Sequence, residues 1–333
     1  MSTASHASKV LADRVTLFLE EPLRTAVDRL DEPVREMARY HFGWDLGPGV
    51  PSGTRRRGAT MTLLCSGSDP EEDWPKATDA AVVATILLNS FVIHDDIIDQ
   101  DVMRRGRSAC WVVYGAPAAI EVGVALQSLA FELLAETPRA VAATAAAARC
   151  ARVIAAGQAE DLRLETLPEV SLADSLRMYR FKDGGCAELC CLLGAIARGG
   201  STQEIEAAGE LGVRAGLVFA LSAALGEVWG GPDQDAKQRR SDLQQHKKTP
   251  LIAAAYDRLG AGERAELTAC LTDYQEGDEG TRILELLDAS GARQHVMELI
   301  DTYTGEAVQL LPTAVPDPQA RDAVRAYLES FRP

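Results

Sequence analysis

The stretch LLNSFVIHDDIIDQDVMRRGR at residues 87–107 constrains this chain more than any other part of it. Fourteen uncharged residues, Ala80–Ile93, run into four aspartates within seven positions and then into two adjacent arginines. Read as a helix, Asp95 and Asp99 share a face, with side chains about 5–6 Å apart. Like charges at that spacing repel, and a helix C-terminus adds the negative end of its dipole. A hard cation resolves the conflict, since Mg²⁺ is held by one or two carboxylates together with phosphate oxygens. Arg104 and Arg105 follow within a short turn, and guanidinium groups suit phosphate. Carboxylates, a metal and arginines together describe a diphosphate site at the mouth of an apolar pocket. The bland alternative is a solvated acidic helix end beside a basic loop; DDIID after so long an uncharged run weighs against it.

The remainder of the chain reads as helix. The 333 residues are 47% hydrophobic and 25% charged, enough to bury a substantial core. Helical periodicity runs through Ser8–Phe42, Lys76–Ile98, Ala116–Ala135, Pro138–Leu164, Ser171–Ala197, Thr202–Trp229, Thr249–Leu259, Ala261–Gln275 and Gly280–Leu311. Gly/Pro-rich breakers such as GWDLGPGVPSG, GSDPEEDWP and LPTAVPDPQ separate these segments. No stretch reads as a linker between two cores. The expectation is one all-α domain over residues 1–333, whose first 50 residues form a helical arm. A net charge of −15 argues against nucleic acid or an anionic membrane surface as partner. Met1–Lys9 is polar, unlike a signal peptide, and Ala80–Ile93 is too short to span a bilayer. Seven scattered cysteines, none with zinc-type spacing, read as reduced thiols in the cytoplasm.

HDDIIDQDVMRRGRSACWVVYG resembles the first aspartate-rich region of the trans-isoprenyl diphosphate synthases, the polyprenyl synthetase family. ARYHFGW (Ala38–Trp44) resembles the N-terminal stretch of actinobacterial-type members. GQAEDL (Gly157–Leu162) is similar to the family's Gln/Asp helix, MYRFKDGG to its Met…Lys-Thr-Gly segment, and SDLQQHKKTPL to its Asp-Leu…Lys-Lys region. The resemblance implies an isoprenoid synthase helical bundle around a deep central prenyl pocket, usually in a homodimer. In that family Mg²⁺ and basic residues draw diphosphate off an allylic prenyl substrate. On that reading Asp95 and Asp99 bind metal and Asp96 supports them. Arg104, Lys182 and Lys247 contact the allylic diphosphate, Arg105 lies toward isopentenyl diphosphate, and Gln158 and Asp161 line the cavity beneath the metals. Phe91, one turn before Asp95 on the same face, either limits prenyl length or is a core aromatic.

Elsewhere the family pattern breaks. Its second aspartate-rich region, Asp-Asp-x-x-Asp, meets FALSAALGEVWGG here, with Ala223 and Ala224 at the paired aspartates and Glu227 at the third position. Alanine cannot ligate a metal. The Gly-Lys-x-x-Arg-Pro loop corresponds to TRRRGA, which keeps a charge at Arg55 and leaves Arg56 and Arg57 as alternative registers. Leu88 stands where the family often has a polar, diphosphate-contacting residue, and Asp183 replaces the usual threonine after Lys182. The Asn/Asp…Ser/Thr…Glu triad of conventional terpene cyclases is absent, since Val218 occupies its first position and Ser222 and Glu227 are five apart. Three readings follow. The leading expectation is an Mg²⁺-dependent enzyme that ionises an allylic prenyl diphosphate of about C15–C20 and then cyclises it or passes it to an acceptor other than isopentenyl diphosphate. The others are a chain-elongating farnesyl or geranylgeranyl diphosphate synthase, and a catalytically weak partner subunit of an active homologue.

Overall fold

The computed structural model describes residues 3–46, 57–230, 241–245, 247–272, 274 and 278–332. Two helices open the chain, α1 (Thr3–Val27) and α2 (Val34–Phe42), followed by α3 (Arg57–Ser66) and α4 (Thr78–Ile98). A minimal antiparallel hairpin, β1 (Met103–Arg104) and β2 (Arg107–Ser108), turns the chain after α4. Its two turn residues, Arg105 and Gly106, both have positive φ, 55° and 75°, as a two-residue hairpin of this handedness requires. Next come α5 (Cys110–Tyr114), α6 (Ala116–Ala135), α7 (Ala140–Glu165), α8 (Leu172–Ala197) and α9 (Thr202–Trp229). The C-terminal third holds α10 (Ser241–Gln244), α11 (Pro250–Arg258), α12 (Ala261–Thr272), α13 (Asp278–Ala289), α14 (Ala292–Ala314) and α15 (Pro318–Glu329).

Local chemistry explains several starts and stops. Ser171 caps α8 through the backbone N–H of Asp174, and Ser201 and Glu204 cap one another's amides at α9. Thr249 caps α11, with Pro250 in the first turn, where a missing N–H costs nothing. Two expected helices are each divided in the structure. Ser8–Phe42 breaks before Pro33, and Gly280–Leu311 breaks at Gly291, whose φ of 68° ends one helix and starts the next.

The bundle centres on α8, which packs against α3, α4, α7 and α9, while α14 lies along α9. Two glycines permit close approaches to α8 around Lys182. A Cβ on Gly216 of α9 would lie 2.4 Å from the Asp183 carbonyl, and one on Gly157 of α7 would lie 2.5 Å from the Lys182 amide. The α7 and α8 backbones therefore touch at Lys182, bringing the next turn of α7 against its side chain. Among the described residues the buried apolar side chains form one large cluster, from Val15 to Phe331, and a small satellite around Leu164, Val170 and Met178.

The membrane expectation needs a correction. By length and composition four segments are apolar enough to cross a bilayer: Trp74–Ile98, Ala116–Ala135, Ala140–Glu165 and Thr202–Trp229. The first and last are mostly buried within the bundle, so much of their apolar surface faces neighbouring helices. This is how a helix with apolar residues on all sides behaves at the centre of a large core.

Candidate functional site

The C-terminal end of α4 delivers its aspartates to two opposite faces. Asp95 and Asp99 point toward α7 and α8. Asp96, 1% exposed, points the other way and accepts from Arg104 Nε at 2.6 Å. Arg104 also donates to Asp101 at 3.0 Å, and Asp101 is further fixed by Gln245 Nε2 at 2.7 Å. Burial pushes the Asp96 carboxyl up to about 6, with the Arg104 guanidinium pulling against it. Arg105 shares this back face: its Nη2 donates to Asn89 Oδ1 at 2.9 Å, and His41 Nε2 meets the same oxygen at 3.0 Å. Burial, reinforced by the nearby Arg105 charge, lowers the His41 pKa to about 3, so its ring is neutral. A cavity of about 200 Å³ opens here, with Arg104, Arg105, Arg107 and His41 in its wall.

The front face is a different environment. Asp99 from α4 and Asp161 and Glu165 from α7 place carboxylate oxygens within 4.8 Å of one another. Lys247, on the connector before α11, donates to Asp99 at 2.7 Å and to Asp161 at 3.3 Å, and also bonds Glu165. Lys182 of α8 lies 3.0 Å from Asp95 and 2.9 Å from Asp161. Four carboxylates thus face two ammonium groups. Burial and the neighbouring Asp95 charge push the Asp99 carboxyl up to about 6. Burial penalises both lysine charges, but the surrounding carboxylates outweigh it and hold both pKa values above the ordinary lysine value. Gln158, one turn before Asp161, has a buried Nε2 with no hydrogen-bond partner.

This donor set fits a hard divalent cation. Every ligand is an oxygen, and opposite oxygens around an octahedral Mg²⁺ stand about 4.2 Å apart, close to the spacing of the three carboxylates. The Lys247 ammonium stands among them as a cation would. The carboxylates outnumber the ammonium groups, which leaves negative charge for a cation to neutralise.

The structure brings Asp95, Asp99, Asp161, Lys182 and Lys247 together, with Gln158 beside them. It commits Arg104, Arg105 and Asp96 to bonds behind α4. Phe91 is half-buried against the core, one turn from Asp95. Arg55 lies outside the described residues. One member of the site escaped the sequence reading. Glu165 was legible, four residues after Asp161 on the same helix face. Arg57 was left as an alternative register; it begins α3, with its guanidinium 5.2 Å from the Phe331 ring centre.

The eroded second region lies on α9. Ala223 is exposed and Ala224 buried. Glu227 Oε1 accepts the backbone N–H of Asp242 at 2.8 Å, which fastens α10 to the end of α9. Phe219, Tyr327 and Phe331 cluster beside this stretch, with Phe219 and Phe331 ring centres 4.5 Å apart, and Ser222 donates to the Phe331 carbonyl at 2.6 Å.

Known proteins share both sequence and fold with this chain. Residues 48–288 match the Polyprenyl synthetase family. The (2E,6E)-farnesyl diphosphate synthase of Mycobacterium bovis is 32% identical over 314 residues, covering 88% of this chain and 86% of that protein. The geranylgeranyl diphosphate synthase of Mycobacterium tuberculosis is 29% identical over 328 residues, covering 95% and 92%. The crystal structure of a polyprenyl synthetase from Streptomyces coelicolor superposes with a TM-score of 0.86 at 30% identity, covering 97% of this chain and 99% of that one. The all-α bundle, the acid and lysine cluster at the tip of α4, and these matches agree: this chain belongs to the polyprenyl synthetase family, a family of prenyltransferases.

Proposed function

We propose that this protein is a magnesium-dependent, chain-elongating prenyl diphosphate synthase that takes an allylic prenyl diphosphate at the tip of α4. The observation that carries the reading is the convergence of Asp95, Asp99, Asp161, Lys182 and Lys247 from four separate segments. The similar farnesyl and geranylgeranyl diphosphate synthases favour elongation over the cyclising or alternative-acceptor chemistry expected from the eroded motif.

In this proposal Asp99 and Asp161, with Asp95 beside them, hold the cation. When bound, it supplies charge neutralisation to a departing diphosphate. Lys182 and Lys247 donate to the diphosphate oxygens, and Gln158 offers its unsatisfied N–H₂ to the same ligand. Asp96 holds Arg104 in place behind the metal ligands. The prenyl tail runs inward along the α4 face bearing Phe91, whose ring then limits its length. The back-face cavity with Arg105 serves the isopentenyl diphosphate, a substrate to which Arg55 is also assigned. One domain over residues 1–333, a cytoplasmic location and a homodimer complete the proposal. The exposed Val112, Val113, Ile120 and Val124 of α5 and α6 support the homodimer as a subunit-contact face.

A second reading rests on Ala223 and Ala224. Without their carboxylates, ionisation by the surviving cluster leads to cyclisation or to transfer onto another acceptor. The two readings part in one experiment: incubation with Mg²⁺ and geranyl, farnesyl or geranylgeranyl diphosphate, with and without isopentenyl diphosphate. Longer diphosphates support elongation. Hydrocarbon or alcohol from the allylic substrate alone supports the second reading. Turnover only on addition of a homologous synthase would contradict both and mark a partner subunit.

A further inference from the structure

Lys247 occupies the position that a divalent cation needs. Its ammonium lies 2.7 Å from Asp99 and 3.3 Å from Asp161 and also bonds Glu165, with the side chain 8% exposed. The three carboxylates converge within 4.8 Å, which leaves room for one cation at a time. Lys182 is placed differently: it straddles Asp95 and Asp161, and so pairs with one member of the trio rather than standing among all three.

The backbone that carries Lys247 is tied down. Its own N–H donates to the Asp242 carbonyl at 2.9 Å, and Ser175 Oγ donates to the Lys248 carbonyl at 2.7 Å. Movement is therefore left to the side chain, a flexible four-carbon stem ending in a point charge. Glu165 is the last residue of α7, with its side chain 26% exposed. It stands one turn beyond Asp161 and accepts from the Lys247 ammonium.

We propose that Glu165 is a positioning residue that parks Lys247 in the cation's place in the resting protein, so that metal entry and release of Lys247 toward a diphosphate form one exchange. The inference rests on the metal and diphosphate reading above and adds a residue and an order to it. Neither ligand alone meets a ready site: a metal must displace the ammonium, and a diphosphate must draw the lysine from three carboxylates.

The test is calorimetry and manganese electron paramagnetic resonance on the full chain. Wild-type protein is first titrated with inorganic pyrophosphate in the presence of Mg²⁺, and binding is expected. Absence of binding there would overturn the functional reading and this inference with it. With metal removed, Glu165→Gln is expected to bind pyrophosphate about tenfold more tightly than wild type, the scale of one close charge pair. That gain is expected to vanish in Glu165→Gln/Lys247→Gln. Without pyrophosphate, Lys247→Gln is expected to bind Mn²⁺ about tenfold more tightly. A Glu165 with a merely structural role would produce no gain in ligand binding. With wild-type binding established, the parking role is overturned if Glu165→Gln shows no gain, or if its gain persists without Lys247. An unchanged or weakened Mn²⁺ affinity in Lys247→Gln also overturns it, whether or not Glu165→Gln folds.

Discussion

The α4 tip and the end of α9 are the two places where this family pattern puts acid clusters, and they have diverged in opposite directions. At the α4 tip, each repelling carboxylate has a lysine or arginine within bonding distance. At the end of α9 two carboxylate positions are alanine, and the third acid, Glu227, holds a backbone amide. The difference lies in what each acid touches. Among the described residues the α4 tip keeps Lys182, Lys247 and Arg104, so its acids remain tolerable without metal. On α9 a carboxylate at buried Ala224 would be costly, whereas one at exposed Ala223 would stand in solvent, and the neighbouring Phe219 and Phe331 rings are covered by the Arg57 guanidinium. The two regions are also linked. Glu227 binds the Asp242 amide, and the Asp242 carbonyl accepts the Lys247 amide, so the surviving acid of α9 helps to place a lysine of the α4 site.

The largest effect should come from the α4 side. Asp99→Ala removes the carboxylate shared by Lys247 and the candidate cation, and several kcal/mol of lost charge stabilisation corresponds to about a thousandfold slower diphosphate release. A coupled pyrophosphate assay checks this, and unchanged activity would remove Asp99 from the site. Next is Asp183→Asn, at the position where the family's threonine is missing. Burial lifts the Asp183 carboxyl from 3.8 to about 6. The folded chain therefore holds that proton more tightly than the unfolded chain. The resulting stability is present below about pH 4 and is lost as pH rises through 6. Asp183→Asn is thus expected to stabilise the metal-free protein by about 2 kcal/mol at neutral pH, with the gain fading toward pH 4, as read by urea denaturation.

Restoring acid on α9 has a smaller expected effect. Ala223 is exposed and accepts an aspartate readily; Ala224 is 6% exposed and does not. Ala223→Asp is expected to raise elongation about tenfold at limiting Mg²⁺, equivalent to ~1.4 kcal/mol. A flat response, read by product chromatography, would show that losing this acid does not limit the enzyme. The smallest change is Glu227→Gln, which keeps an acceptor for the Asp242 amide. It should shift the Mg²⁺ dependence by less than about threefold, whereas Glu227→Ala should cost about 1 kcal/mol of stability through the lost hydrogen bond. A large loss of metal affinity in Glu227→Gln would erase the contrast between the two regions.

Much of this was visible in the sequence, for identifiable reasons. The bounds of α6 and α9 match their periodic segments because Gly115 precedes α6 and Ser201 and Gly230 flank α9. Helix α3 went unseen because it is buried on nearly every side and shows no amphipathic stripe. Helix α15 was hidden by its own start signal: Pro318 was read as a breaker but lies in the first turn of a helix capped by Asp317. Spacing showed that Asp95 and Asp99 share a face, and Asp96 turned out to face the arginines. The gathering of Lys247 with Asp99, Asp161 and Glu165 depends on three segments far apart in the chain, and no local pattern encodes it.

The most direct measurement of the central claim is anomalous diffraction from crystals grown with Mn²⁺ and a non-hydrolysable allylic thiodiphosphate. The account predicts a manganese peak between the Asp99 and Asp161 carboxylates, with Lys247 turned from Glu165 toward the diphosphate. Bound ligand with no metal at the α4 tip, or a metal at the end of α9 alone, would contradict it.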